Sequence, residues 1–282
     1  MKRVIISLLF LATLKLCAQS SSPDGSKQKL STQDVFDLMW STQHISFGVF
    51  LTGCQRADLV KRSGKYEMSS SAQLGYEVRF NYYYNLDSKW SLLTGLYIGV
   101  YGRNYLLTIP KNDIDPSLDE NYIDNGAATR SKDIFYISLP LGLQKKWWND
   151  QKNRSWLAYI GTNINWPLSN QPDQFTEQLY IPGQGPTQIL AMDISLNHNS
   201  KPWVTLETGT GYQWILFNKN MIAANIHLSV SFVKVANGIY HITVPNQPDS
   251  DGDYSVSTTN IGLGINYIFT GTRKKLHQLS NK

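Results

Sequence analysis

Four charged residues stand in stretches that are otherwise apolar at alternate positions. Glu77 and Arg79 lie two apart within 72–82, Glu207 lies within 204–214, and Arg103 follows 92–100. All four fall on the polar parity of their stretches, so a common interior would receive them together. Two acids and two bases facing one another would form an ion-pair network, since isolated charges in a closed space are costly. In a wet interior the same set would act as a selectivity or gating element. His227 and Ser229 also stand two apart on one parity, with Glu207 available from a neighbouring stretch. A histidine, a serine and an acid can make a hydrolase, which here would be a lipid-modifying enzyme. The surrounding residues match no deacylase motif, and plain polar side chains facing an interior are the simpler reading. His198 with Ser200 is a looser version of the same pair.

Asp249, Asp251 and Asp253 flank Gly252. Alternate carboxylates suit a hard cation such as calcium, but the later glutamate of a complete calcium loop is missing. A solvated acidic turn is the simpler reading. A second acidic run, Asp113, Asp115, Asp119, Glu120 and Asp124, has the same character. No glycine-rich phosphate loop, zinc spacing or basic–aromatic stripe is present, so neither a cofactor nor a nucleic-acid partner is expected.

What must position these residues is a set of strands. From Gln43 onward the apolar residues recur with period two. Ile45, Phe47, Val49 and Leu51 alternate with His44, Ser46, Gly48 and Phe50. The pattern returns around 72–82, 91–100, 135–144, 155–166, 204–214, 222–232 and 260–269, which predicts eight strands. The opposite set is rich in Gly, Ser, Asn, Gln and charge, a poor dry core. A lipid-facing barrel puts its apolar set outside and its polar set inside, and closure satisfies every backbone group without water.

The connections alternate in length. Asn85–Lys89, Asn149–Arg154 and Phe217–Asn220 are short, whereas 53–70, 110–132, 167–202 and 237–254 are long. Transmembrane barrels pair short periplasmic turns with long extracellular loops. A hairpin within 174–194 would raise the strand count to ten or extend beyond the membrane. Tryptophans cluster near strand ends: Trp40, Trp90, Trp147, Trp148, Trp156 and Trp214 at the short-turn end, Trp166 and Trp203 at the long loops. Indoles there, with Tyr267 and Phe269 of the last strand, would anchor the barrel at the membrane–water interface.

Only 17% of the residues are charged and 12% are aromatic. No internal run reaches the roughly eighteen apolar residues of a spanning helix. Lys2 and Arg3, the apolar run 4–14 and Ala18 read as a signal peptide, 1–18. Lys15 and Leu16 before Cys17 do not make a lipobox. Removing the signal takes Lys2, Arg3 and Lys15 and no acid, so the net charge falls from +5 to +2. Cys54 is then the remaining cysteine, which excludes an internal disulfide. Residues 19–42 form a leader in which Ser31–Trp40 can start a short helix, and a basic tail, 270–282, follows the last strand.

The last strand is similar to the sorting signal of bacterial outer-membrane barrels, through Gly264, Tyr267 and Phe269. The segment Ile137-Ser138-Leu139-Pro140-Leu141-Gly142-Leu143 resembles the apolar-Pro-Leu strand of the PorT-like outer-membrane β-barrel family, which also shows a signal ending in Ala-Gln, as Ala18-Gln19 does. The resemblance spans 43–269. It implies an all-β, eight- to ten-stranded barrel in a Gram-negative outer membrane, and for some members accessory roles in protein secretion. Pro140 should bulge or kink its strand.

These readings converge on a non-enzymatic outer-membrane barrel over 43–269 with periplasmic termini. Its long loops would meet partners in the envelope or in secretion. Outer-membrane lipid, lipopolysaccharide and the barrel-assembly machinery are its expected surroundings. A small-solute channel and a lipid-A-modifying enzyme are the alternatives.

Overall fold

The computed structural model describes residues 43–54, 56–102, 105–116, 118, 120–125, 134–149, 154–168, 173–181, 185–196, 201–216 and 220–270. The segments expected to be a signal, a leader with a short helix, and a tail from 271 lie outside them. Alternating side chains make the strands, in chain order β1 (Gln43–Cys54), β2 (Asp58–Ser63), β3 (Met68–Ser69), β4 (Leu74–Asn85), β5 (Trp90–Tyr101), β6 (Leu106–Ile109), β7 (Tyr122–Asn125) and β8 (Ile134–Asn149). They continue with β9 (Arg154–Pro167), β10 (Asp173–Ile181), β11 (Gly185–Leu196), β12 (Trp203–Ile215), β13 (Met221–Ser231), β14 (Lys234–Ile242), β15 (Ser250–Ser257) and β16 (Asn260–Phe269).

Eight of these close an antiparallel barrel in the order β1-β16-β13-β12-β9-β8-β5-β4. Spatial neighbours are also neighbours along the chain, and β1 pairs with β16 to seal the ring. The remaining strands come from the four long connections, two from each. β10-β11-β14-β15-β2 form a five-stranded sheet, and β3-β6-β7 a three-stranded one. The long connections are therefore a folded cap rather than loops. The hairpin in 174–194 exists as β10–β11, but it joins the cap, and the barrel has eight strands. The acidic segment 249–253, expected as a turn, is largely strand β15, paired with β14 and β2.

The two parts face their side chains oppositely. On the barrel Ile45, Leu51, Phe80, Leu141, Leu228 and Leu263 point outward and are exposed. His44, Ser46, Asn81, Ser138, Gln144 and Asn266 point inward and are buried. In β4 the outward set runs from Leu74 to Tyr84. At about 3.3 Å per residue and a tilt of about 40°, ten residues make an apolar band about 25 Å tall. In the cap Leu107, Ile109, Ile189, Leu190, Tyr240, Ile242, Val244 and Val256 form a buried apolar core. That core continues into the barrel mouth through Cys54, Tyr101, Ile134, Tyr136 and Trp203.

Pro140 neither bulges nor shifts its strand. Thr94 opposes Leu141 and Tyr97 opposes Ser138 in one register, and pairing lapses only between, at Gly95 and Leu96. On the other side Pro140 opposes Asn163 without interruption. The missing N–H thus costs local pairing with β5 alone.

Candidate functional site

The inward parity of β4 places Glu77 and Arg79 one above the other inside the barrel, and β12 brings Glu207 from the opposite wall. Arg79 spans the lumen. Its Nη1 donates to Glu207 Oε1 at 2.7 Å and its Nη2 to Oε2 at 3.2 Å. Its Nε donates to Glu77 Oε2 at 2.6 Å. The guanidinium lies between the Phe50 and Tyr97 rings, 4.3 Å from each centroid. Further donors hold the carboxylates. Tyr159 Oη (2.9 Å) and Asn163 Nδ2 (2.6 Å) reach Glu207, and the Tyr136 hydroxyl reaches Glu77. His227 Nε2 lies 3.1 Å from Arg79 Nη2 and 3.3 Å from Asn260 Oδ1. Each of the eight barrel strands supplies at least one side chain to this layer: Phe50, Arg79, Tyr97, Tyr136, Tyr159, Glu207, His227 and Asn260 in chain order. A forked guanidinium suits this work because its bonds to carboxylate are bidentate and directional.

Glycines make room for the large members. A Cβ at Gly262 would meet the His227 ring at 2.2 Å, and one at Gly209 the Tyr159 ring at 2.4 Å. The inward glycines that argue against a dry core are thus the notches into which neighbouring rings lie.

Further side chains occupy the lumen on either side of this layer. Toward the cap, Tyr101 stacks on Tyr136 at 4.3 Å, and Trp203 tilts against Tyr136 while its Nε1 donates to Thr258 Oγ1 at 3.0 Å. Toward the short turns lies a cavity of about 20 Å³, lined among others by Arg79, Tyr83, Gln144, Asn225 and Asn266, room for about one water. Below it Lys146 Nζ donates to Asn85 Oδ1 at 2.9 Å. Leu157, Met221, Ala223 and Ile268 cluster there with Trp148 packed against them.

The sequence-derived residues distribute as follows. Glu77, Arg79 and Glu207 meet; Arg103 lies outside the described residues. His227 and Ser229 share a face; Ser229 Oγ has no hydrogen-bond partner among the described residues, and Glu207 is held by Arg79. His198 and Ser200 lie outside the described residues. The acidic trio is engaged by Arg62 and His241. Arg62 Nε donates to Asp253 Oδ2 at 2.7 Å, and His241 contacts Asp251 and Asp249 at 2.5 and 3.5 Å. Among the described residues no group of three potential ligands is placed to hold a metal.

Trp90, Trp147, Trp156, Trp166 and Trp214 lie on the outward parity near strand ends, with Tyr267 and Phe269. Two assignments change. Trp203 is buried in the cap core, and Trp148 points into the lumen, where its Nε1 donates to Ser88 O at 3.0 Å. For Trp148 the signal was visible, since Trp147 and Trp148 are adjacent and cannot share a face. The residues sequence reasoning missed are Phe50, Tyr97, Tyr136 and Tyr159; inward parity was their signal, masked by their apolar rings.

No family model matches the chain, and no curated protein does. Among solved structures it is similar to the outer membrane protein OprG from Pseudomonas aeruginosa, at 13% identity and a TM-score of 0.36, over 81% of this chain and 96% of that one. Neisserial surface protein A is similar at 11% identity and 0.35, over 80% and 96%. The outer membrane protein AlkL in lipid bilayers is similar at 12% identity and 0.29, over 79% and 90%. At these values the barrel architecture stands on this chain's own strand pairing.

Proposed function

We propose that this chain is a non-enzymatic bacterial outer-membrane protein in which a sealed barrel anchors a folded cap, and that the cap binds a partner in the envelope. The observation that carries the reading is the lumen: a charged layer built from all eight walls, closed above by the cap core and below by an apolar cluster. Such an interior passes no solute, so the barrel serves as a mount. The apolar exterior supports the membrane placement, because lipid is the solvent in which that surface is stable. Short turns at one end and the cap at the other support periplasmic termini and an outward cap. Rigid scaffolds present binding surfaces on their connections. The resemblance of β8 to the PorT-like strand favours a partner in secretion or envelope assembly.

The purified chain in planar bilayers should show no single-channel conductance. Steady conductance steps would replace the anchor with the channel reading. Placement is checked by heat-modifiable gel mobility in the outer-membrane fraction, and recovery as a soluble protein would overturn it.

A further inference from the structure

At the short-turn end, the outward face of β5 and β8 carries a cation among aromatic rings, and the neighbouring β9 adds Arg154 opposite Trp214. Trp90 opens β5 and pairs with Lys145 of β8, and Trp147 follows two residues on, on the same outward face. The half-buried Lys145 holds its Nζ 5.0 Å from the Trp90 ring centroid and 5.1 Å from that of Trp147. No carboxylate pairs with Lys145 among the described residues. The β4–β5 turn brings an exposed second cation, Lys89, against this wall, since Lys146 N donates to Lys89 O at 2.7 Å. The acid of that turn, Asp87, is committed to the backbone N–H groups of Lys89 and Trp90, each at 2.6 Å. On the far wall the corresponding outward positions are Ile45, Ile222, Tyr267 and Phe269, with no cation.

We infer that this notch, Lys145 between Trp90 and Trp147 with Lys89 at its edge, binds the phosphate of an anionic glycerophospholipid in the leaflet on the short-turn side. The ammonium is fixed over two indole faces at the edge of the apolar band, where water screens it less than in bulk. An anion arriving there completes a charge that no described carboxylate matches. Indole rings meet the acyl chains and their N–H groups meet the headgroup region. The inference rests on the membrane reading above, and its test separates the two.

The full chain is reconstituted into vesicles of phosphatidylcholine containing either brominated phosphatidylcholine or brominated phosphatidylglycerol, and tryptophan fluorescence is read. Quenching by the anionic lipid should exceed that by the zwitterionic one, by about fivefold in relative binding for one fixed lysine. Lys145→Gln should remove that preference, and Lys89→Gln should reduce it. Lys61→Gln, in the cap, should leave it intact. Equal quenching by both lipids in the unaltered chain, or a preference that survives Lys145→Gln, would overturn the lipid site while keeping the barrel in the membrane. No quenching by either lipid would overturn the membrane reading itself.

Discussion

The barrel and the cap use the same period of two and opposite polarity. In β4 the exposed positions include Leu74, Tyr76 and Phe80, and the buried ones include Glu77, Arg79 and Asn81. In β14 and β15 the buried positions include Tyr240, Ile242, Tyr254 and Val256, while His241, Asp251 and Asp253 face outward. Alternation sorts side chains into two faces and says nothing about which face is inside. The surrounding solvent decides that. On the proposed membrane placement, lipid selects the apolar face for the barrel exterior, and water selects it for the cap core. One chain therefore carries charge in its barrel interior and apolar side chains in its cap interior, and each region should fail in its own way.

Arginine removal should separate the regions most strongly. Arg79→Ala leaves Glu77 and Glu207 buried without their counter-charge, which should cost about 3–5 kcal/mol. Arg62→Ala breaks an exposed pair with Asp253 in the cap and should cost no more than about 1 kcal/mol. Urea unfolding in vesicles, followed by gel mobility of the folded barrel, measures both. Equal costs would mean that the barrel interior is as wet as the cap surface.

Leucine truncation should reverse the ranking of inside and outside. Leu107→Ala, in the fully buried cap core, leaves a cavity and should cost about 2–5 kcal/mol. Leu263→Ala, on the barrel exterior, leaves none, because acyl chains refill the space; only the transfer part, about 2 kcal/mol, is lost. Protease cleavage of the cap should rise for Leu107→Ala with the barrel's mobility unchanged. Cleavage unaffected by Leu107→Ala would show that the cap core does not hold the cap together.

A methyl group tests the notches. Gly209→Ala places a Cβ 2.4 Å from the Tyr159 ring, inside the layer that holds Glu207. Overpacking of this kind should cost about 1–3 kcal/mol. Gly53→Ala meets Ile261 at 3.7 Å, an ordinary contact, and should be close to neutral. The same unfolding measurement decides, and a neutral Gly209→Ala would mean that the ring layer yields easily.

The barrel was legible because its strands are long, local and regularly spaced: every barrel pair but β1–β16 joins strands consecutive around the ring along the chain. Glu77, Arg79 and Glu207 were legible as one network by parity alone. The cap was not. Its pairings join distant segments, β2 with β15 and β11 with β14. Gly, Asp and Asn interrupt its alternation, so 237–254 reads as a loop although β14 and β15 pair with one another across it. Trp203 misled for a related reason. Its place near a strand end suits a membrane anchor, but that strand end lies under a core the sequence did not display.

The smallest difference concerns two carboxylates outside the apolar band. Asp251 in the cap is held below the ordinary carboxylate range, first by its hydrogen bond with His241 and then by that from Ser63 Oγ at 3.1 Å. Asp87 in a barrel turn is also held low, but mainly by the backbone N–H groups of Lys89 and Trp90. For both, the folded value lies below the unfolded one, about 3.9. Each contribution is therefore present above that value and is lost as pH falls through the lower folded value. Neither should change stability between about pH 5 and 8. The holders differ, so substitution should distinguish them. His241→Ala should move the Asp251 midpoint up toward its ordinary range, read from the carboxyl carbon shift in an NMR titration. Lys89→Ala should leave Asp87 nearly as low, because the donors there are peptide groups that the substitution keeps. If Asp87 rose as far as Asp251, charge rather than backbone geometry would be holding the turn, and the barrel's short turns would be as dependent on side chains as the edge of the cap.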